Sequence, residues 1–222
     1  ILNLKKKNLP FVTCKLAISK DSYTIDKKSK WITNELSRGR VHLMRSSHDC
    51  IITSSRTIIK DNPRLTCRIY GLEDRSPSRI LFDNKLKIHI NSRIIKEATK
   101  YRTIIFYNKI NKEKIKLLNK LKVKTYKIAL DGSGNLDLRE SLAKAKGLGF
   151  SRIFLESGIK LTTSFLDEKL VDDFKLFVSN NKLGKNGNGN IRKYFRSFLN
   201  GKKKILEKVN LSGEKLISYK IK

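Results

Sequence analysis

Short apolar runs of β type alternate along the chain with polar segments of helical period. “PFVTCKLAIS” (10–19) places Val12, Cys14 and Leu16 on one face of a strand, and Thr13 and Lys15 on the other. A lysine inside such a strand needs a partner or an aqueous cleft, because a lone ammonium is almost never buried. “WITNELSRGRVHLMRSS” (31–47) has helical spacing. Thr33 or Asn34 is its N-cap, Glu35 lies in its first turn, and Leu36, Val41 and Met44 form part of an apolar stripe. Gly39 weakens that helix by about 1 kcal/mol relative to alanine. “DCIIT” (49–53), “RILFD” (79–83) and “TIIFY” (103–107) read as strands, and “NKEKIKLLNKL” (111–121) as a basic amphipathic helix. Strand “KTYKIAL”, helix “LDLRESLAKAKGLGF”, strand “RIFLES”, helix “KLTTSFLDEKL” and strand “DDFKLFVS” follow, the first of these helices ending near Gly147 or Gly149.

Such alternation predicts an α/β domain with a largely parallel sheet. The tail, “KKKILEKVNLSGEKLISYKIK”, predicts instead an antiparallel hairpin turning at Ser212-Gly213 and closing the sheet. Ahead of it, “NNKLGKNGNGN” reads as a mobile loop, and “YGLEDRSP” (70–77) as a surface loop. Neither an internal repeat nor a second domain is evident.

Composition changes this picture only slightly. The 222 residues carry 50 lysines and arginines against 20 acids, a net charge of +30. A charge of that size suggests nucleic acid. The lysines are spread over the whole length, however, and are not interleaved with aromatics as stacking platforms would be. Abundant Lys, Ile and Asn fit an A/T-rich coding sequence, so nucleic acid is not the expected partner, although the field would draw in phosphorylated small molecules. No apolar run approaches the roughly 20 residues that span a bilayer. The three cysteines lack CxxC spacing, which argues against a zinc knuckle or disulfide framework and suits a reducing cytoplasm. No metal site is expected.

Candidate chemistry concentrates in “TIIKDNPRLTCR” (57–68), which combines Asp61, one of three prolines (Pro63), Arg64, Cys67 and Arg68. A tight turn explains Asn62-Pro63 but not a carboxylate on one side of it and two guanidinium groups on the other. The strand ending at Glu156 runs through Gly158 into a helix, whose N-terminus favours an anion. One glycine is no more than an ordinary turn, and a GxGxxG dinucleotide fingerprint is absent. His42, His48 and His89 lack paired ligand spacing, and His42 reads as a helix-surface residue. Trp31, the single tryptophan, serves either as core or as cover for a flat cofactor ring.

Taken in order, “PFVTCKLAIS”, “SKWIT”, “VHLMRSSHDCIITSSRTIIKDNPRLTCR”, “RILFD”, “LESGIKLTTSFL” and “LVDDFKLFVSNNKLG” resemble the reductase domain of bacterial bifunctional riboflavin-biosynthesis deaminase/reductases over residues 10–184. The resemblance implies a dihydrofolate-reductase-like, three-layer αβα fold with a mixed sheet. The implied activity is NADPH-dependent reduction of the ribosyl chain of 5-amino-6-(5-phosphoribosylamino)uracil to a ribityl chain, by a homodimer. It also implies cofactor contacts at Ala17, Trp31, Thr57, Asp61 and Asn84, and a cofactor phosphate loop at Gly158, Ile159, Lys160, Leu161, Thr162, Thr163 and Ser164. Substrate contacts fall on Ser29, Arg45, Leu65, Arg68 and Glu156, with the two arginines able to grip a phosphate through forked hydrogen bonds. Lys15 is the candidate to polarise or protonate the opening ribose, oriented by Asp61 and Glu156; its other reading is a strand-end salt bridge. A related pterin or pyrimidine reductase is the alternative within the fold, and a non-catalytic basic nucleic-acid-binding domain the alternative outside it.

Some segments depart from the family pattern. “KDSYTIDKKSK” (20–30) is short and charged where small residues and a glycine are usual. Arg56 replaces a small residue; it either serves the extra phosphate of NADPH or points outward. Ser157 stands where glycine or alanine is common. The H-x-E and P-C-x-x-C of a zinc deaminase are not found here, and “LKKKNLPFVT” resembles the linker between the two halves. Residues 1–9 are therefore expected to be a linker remnant and 10–222 the reductase domain. The start at Ile1 favours the second half of a longer chain over a separate reductase.

Overall fold

The computed structural model describes residues 9–221; the expected linker, apart from Leu9, lies outside them. In chain order the elements are β1 (Phe11–Ile18), β2 (Tyr23–Asp26), α1 (Glu35–Ser46), β3 (Cys50–Ser54), α2 (Ser55–Asp61), β4 (Ser78–Phe82), α3 (Arg93–Lys96), β5 (Thr103–Tyr107), α4 (Lys112–Lys120), β6 (Lys124–Lys127), α5 (Leu138–Gly147), β7 (Arg152–Glu156), α6 (Ile159–Asp167), β8 (Asp173–Val178), β9 (Gly187–Asn190), α7 (Arg192–Phe198), β10 (Lys203–Leu206) and β11 (Lys215–Lys220). One sheet takes nine strands in the order β10-β11-β8-β1-β7-β3-β4-β5-β6. From β8 to β6 all neighbours are parallel, while β11 runs antiparallel to β8, and β10 to β11. This is the mixed α/β sheet expected of the sequence.

Helices cover both faces, making three layers. Val12, Cys14, Leu16 and Ile18 of β1 pack in one apolar cluster with Leu142 of α5, Phe165 of α6 and Phe195 of α7. The opposite cluster joins Ile51, Leu81 and Phe154 to Val41 of α1, Ile58 of α2 and Leu118 of α4. Burial on both faces explains why the central strands read as nearly continuous apolar runs. It also makes the face assignment of β1 decisive. Lys15 points to the α1 side, and its register partner on β7 is Glu156.

Several expectations change. In α1, Asn34 is the cap, accepting from the Ser37 N–H at 2.9 Å. Leu36 does not join an apolar stripe, being 52% exposed. The buried line is Ser37, Val41 and Arg45, spaced by four, so the inner face of this helix is partly polar. The Gly/Asn-rich segment is not a loop throughout, because its residues 187–190 form β9 and pair with β2. Gly187 is required there, since a Cβ would lie 2.3 Å from the Tyr23 ring. At the tail, the hairpin forms as expected, but its strands end at Leu206 and resume at Lys215. Ser212 and Gly213 have the positive φ values of a turn, 54° and 85°, within that longer connection.

Arg79 of β4 is fully buried. Its guanidinium donates to Thr103 Oγ1 and to the carbonyls of Arg64 at 3.2 Å, Ile94 at 3.1 Å and Tyr101 at 3.0 Å, with Glu97 Oε2 at 3.7 Å. A buried charge survives only with such saturation. Replacing it strands several buried acceptors and leaves Glu97 with Arg64 as its remaining cation. Arg79→Met is therefore expected to lower unfolding stability by about 3 kcal/mol, read as a reduced urea midpoint at unchanged slope.

Candidate active site

Because the strands from β8 to β6 are parallel, their carboxyl ends share one edge of the sheet, where open α/β folds place their ligand sites. Glu156 closes β7 at that edge. Arg45 reaches it from α1, with Nε to Oε2 and a terminal nitrogen to Oε1 both at 3.0 Å. The second terminal nitrogen of Arg45 donates to the Thr66 carbonyl at 2.9 Å. Lys15 Nζ stands 4.0 Å from Glu156 Oε1 and over the Phe177 ring. Burial by itself would push the Glu156 carboxyl up, but the Arg45 and Lys15 charges and the Arg45 hydrogen bonds hold it down at about 2. Burial lowers the Lys15 ammonium below its ordinary range; Glu156 opposes that shift and Arg45 adds to it.

The residues after α2 answer the question raised by their composition. Helix α2 ends at Asp61, and Asn62 turns the chain with φ 42°. The irregular stretch that follows is held from outside. Arg79 binds the Arg64 carbonyl, Arg45 the Thr66 carbonyl, and Ser76 Oγ accepts from the Cys67 N–H at 3.0 Å. Leu65, with φ 58°, has its side chain buried in the apolar cluster beneath α1. Arg68 is exposed, and its N–H donates to His42 Nδ1 at 3.0 Å. Arg64 turns away from this side to meet Glu97 at 3.0 Å.

Residues 29–33, ahead of α1, line the cleft. Ser29 Oγ accepts from the Trp31 N–H at 3.2 Å, and Lys30 Nζ lies 3.4 Å from the Asp61 carbonyl. Trp31 is no core residue: it is 54% exposed, with the Arg38 guanidinium 5.0 Å from its ring centre. Lys15, Ala17, Ser29, Trp31, Arg45, Asp61, Arg68 and Glu156 thus line one cleft of about 310 Å³. His42 lines it too, and is half-buried, which corrects the reading of a helix-surface residue. It lies three positions before Arg45, on the same face of α1, and that spacing was the signal available in the sequence. Burial and the charges of Arg45 and Arg68 press the His42 pKa down to about 4, against smaller opposing effects from Glu156 and the Thr66 backbone.

The remaining candidates do not line the cleft but stand at the same sheet edge. Thr57 follows β3, its N–H directed at the capping Ser54 Oγ. Asn84 follows β4 and donates to the Gly134 carbonyl at 3.2 Å. Gly158 begins α6 with no side-chain cap, and a Cβ there would enter open space. Ile159 and Leu161 pack on the core, Thr162 is buried beside Ser157, and the Thr163 and Ser164 hydroxyls bond back to the Lys160 carbonyl. Arg56 is exposed on α2.

Residues 10–209 match the model of the RibD C-terminal domain. The chain belongs to that family. The riboflavin biosynthesis protein RibD of Chlamydia trachomatis is 30% identical over 192 residues, which cover 85% of this chain and 50% of that protein. The Thermotoga maritima diaminohydroxyphosphoribosylaminopyrimidine deaminase/5-amino-6-(5-phosphoribosylamino)uracil reductase superposes with a TM-score of 0.76 at 26% identity, over 99% of this chain and 58% of that one. The Saccharomyces cerevisiae riboflavin biosynthesis reductase Rib7 shares the fold with a TM-score of 0.72 at 18% identity, over 97% and 91% of the two chains. The chain spans roughly half the length of the curated RibD relatives it matches.

For this RibD C-terminal domain the ion pair implies a definite pH dependence. The Glu156 carboxyl is held below its unfolded value, so its contribution is present above about pH 5 and is lost as pH falls toward 2. The stability gap between the unsubstituted protein and Glu156→Gln is expected to be roughly 2 kcal/mol at neutral pH and to narrow steadily in urea titrations at lower pH.

Proposed function

We propose that this domain reduces 5-amino-6-(5-phosphoribosylamino)uracil, converting its ribosyl chain to a ribityl chain at the expense of NADPH in riboflavin biosynthesis. The observation that carries this reading is the meeting of Lys15, Arg45, Asp61, Arg68 and Glu156, distant in sequence, in one cleft of a RibD-type fold. Its positive character suits a phosphorylated ligand: Lys15, Lys30, Arg38, Arg45, Lys60 and Arg68 outnumber Asp26, Asp61 and Glu156. Among the described residues no hydrogen bond or ion pair engages the Arg68 guanidinium, so its fork is available to a phosphate. Arg45, committed to Glu156, orients that carboxylate and adds positive field.

The residues present also suit a nicotinamide dinucleotide. An exposed Trp31 ring stands at the cleft mouth, and the uncapped start of α6 at Gly158 leaves backbone N–H groups and open space for a phosphate. Ala17, Trp31, Thr57, Asp61, Asn84 and 158–164 would hold NADPH, which supplies the hydride accepted at C1′ of the ribose. Lys15 gives its proton to the ribose ring oxygen as the C1′–O bond breaks, while the nitrogen lone pair forms a C1′=N bond and the nitrogen keeps its hydrogen; hydride accepted at C1′ would then return that electron pair to nitrogen and give the neutral ribitylamine, with Lys15 reprotonated from solvent. Desolvation loosens that proton, and Glu156 keeps the ammonium in place. The rest of the protein's task is to hold the two reacting carbons close and aligned.

The Thermotoga protein's name joins a deaminase to the reductase, and this chain spans about half of the RibD relatives, so we take a deaminase half to accompany this domain and to supply its deaminated substrate. We take the assembly to be a homodimer working in the cytoplasm; among the described residues no helix is long and apolar enough to cross a membrane. The test is direct. Purified protein is expected to oxidise NADPH with the deaminated phosphoribosylaminopyrimidine and not with dihydrofolate; oxidation with dihydrofolate alone would overturn the assignment. Trp31 fluorescence is expected to be quenched by NADPH and not by duplex DNA. Lys15→Met is expected to slow turnover roughly 100-fold or more with NADPH binding retained; unchanged turnover would remove Lys15 from catalysis.

A further inference from the structure

We propose that His42 is a positioning residue that aims the Arg68 guanidinium at the substrate phosphate, a role that rests on the reductase reading above. Arg68 ends a stretch whose other main-chain ties come from elsewhere: Arg79 to the Arg64 carbonyl, Arg45 to the Thr66 carbonyl, and Ser76 to the Cys67 N–H. Beyond Arg68 the chain passes into an exposed turn in which Tyr70 is 97% solvent-accessible. The bond from the Arg68 N–H to His42 Nδ1, at 3.0 Å, is thus the last hold before the chain reaches solvent. Without it the residue carrying the free fork is anchored on one side alone. A shift of about 1 Å in such a group is enough to weaken a forked contact.

The chemistry of position 42 fits this task. Accepting an N–H at Nδ1 requires an unprotonated Nδ1. The charges of Arg45, from the same helix, and of Arg68, from the loop, both disfavour a proton on the ring, with Glu156 of β7 opposing them more weakly, and all four residues line one cleft. A protonated ring would set donor against donor and add a third cation to the two already there. A neutral histidine instead holds Arg68 by its backbone without adding charge. Leucine could fill the space but would leave the Arg68 N–H unpaired. Asparagine can present Oδ1 close to where Nδ1 stands.

Three variants test this. His42→Leu removes the acceptor, His42→Asn restores it, and His42→Gln moves it to the Nε2 position and replaces the leucine variant should that one fail to fold. Arg68 amide exchange is followed by NMR, and binding of ribose 5-phosphate by titration. In His42→Leu or His42→Gln the Arg68 amide is expected to exchange at least tenfold faster and ribose 5-phosphate to bind roughly tenfold more weakly, both reverting in His42→Asn. With full substrate, KM is expected to rise more than kcat falls, and KM for NADPH to stay the same. Unchanged exchange, unchanged ribose 5-phosphate binding, or an equal loss of NADPH affinity would overturn the role of His42. Failure of the unsubstituted protein to oxidise NADPH with the substrate would overturn the reductase reading instead, and the exchange and sugar-phosphate measurements would still decide whether His42 holds Arg68.

Discussion

The forked ion pair between Arg45 and Glu156 is the constraint on which the cleft depends. Burial at the end of a central strand works against the charged form of the Glu156 carboxyl. The Arg45 guanidinium counters this with two hydrogen bonds and, through its remaining terminal nitrogen, also holds the Thr66 carbonyl. One side chain thereby couples α1, β7 and the irregular loop after α2. Buried ion pairs contribute little net stability once desolvation is subtracted. What this pair supplies is direction, since planar fork against planar carboxylate admits one arrangement.

Its consequences extend to both sides. Lys15 stands beside Glu156 by strand register, and the carboxylate that Arg45 holds low opposes the downward pull of burial on the Lys15 ammonium. Across the loop, Arg79 serves as a second anchor, wholly inside the protein and bound mainly to main-chain carbonyls. Between the two anchors a segment without regular secondary structure is held in place before any ligand arrives. That arrangement reduces the ordering cost of binding. The net charge of +30 adds a general attraction for phosphorylated molecules.

Much of the architecture could be read from the residues because it follows from local patterns. The alternation along β1 separates Val12, Cys14 and Leu16 from Thr13 and Lys15, and both sets fall where the period of two puts them. The cap at Asn34, one of the two residues offered by the sequence, follows from a side chain that bonds to a nearby N–H group. Reading failed where a distant partner decided the outcome. Leu36 looks like core, yet α1 turns Ser37, Val41 and Arg45 inward because the cleft lies beneath it. Gly187 looks like a loop residue, yet it makes room for the Tyr23 ring in a strand pair joined across more than 160 positions. His42 looks like surface until the loop carrying Arg68 is folded over it.

The amino-acid sequence by itself determined the order of the main-sheet strands and of four helices between them, the inward faces of the central strands, the antiparallel tail and the set of residues that resemble a riboflavin-pathway reductase domain. These rest on periodicities and caps that act over a few residues. Only the tertiary structure decided that Arg45 is engaged with Glu156 while, among the described residues, the Arg68 guanidinium meets no hydrogen-bond or ion-pair partner, that Lys15 and Glu156 are cross-strand neighbours, and that His42 accepts from the Arg68 N–H. Those facts depend on strand register and on loops folding back over the sheet, where charges from distant parts of the chain meet in a poorly solvated space and set one another's state.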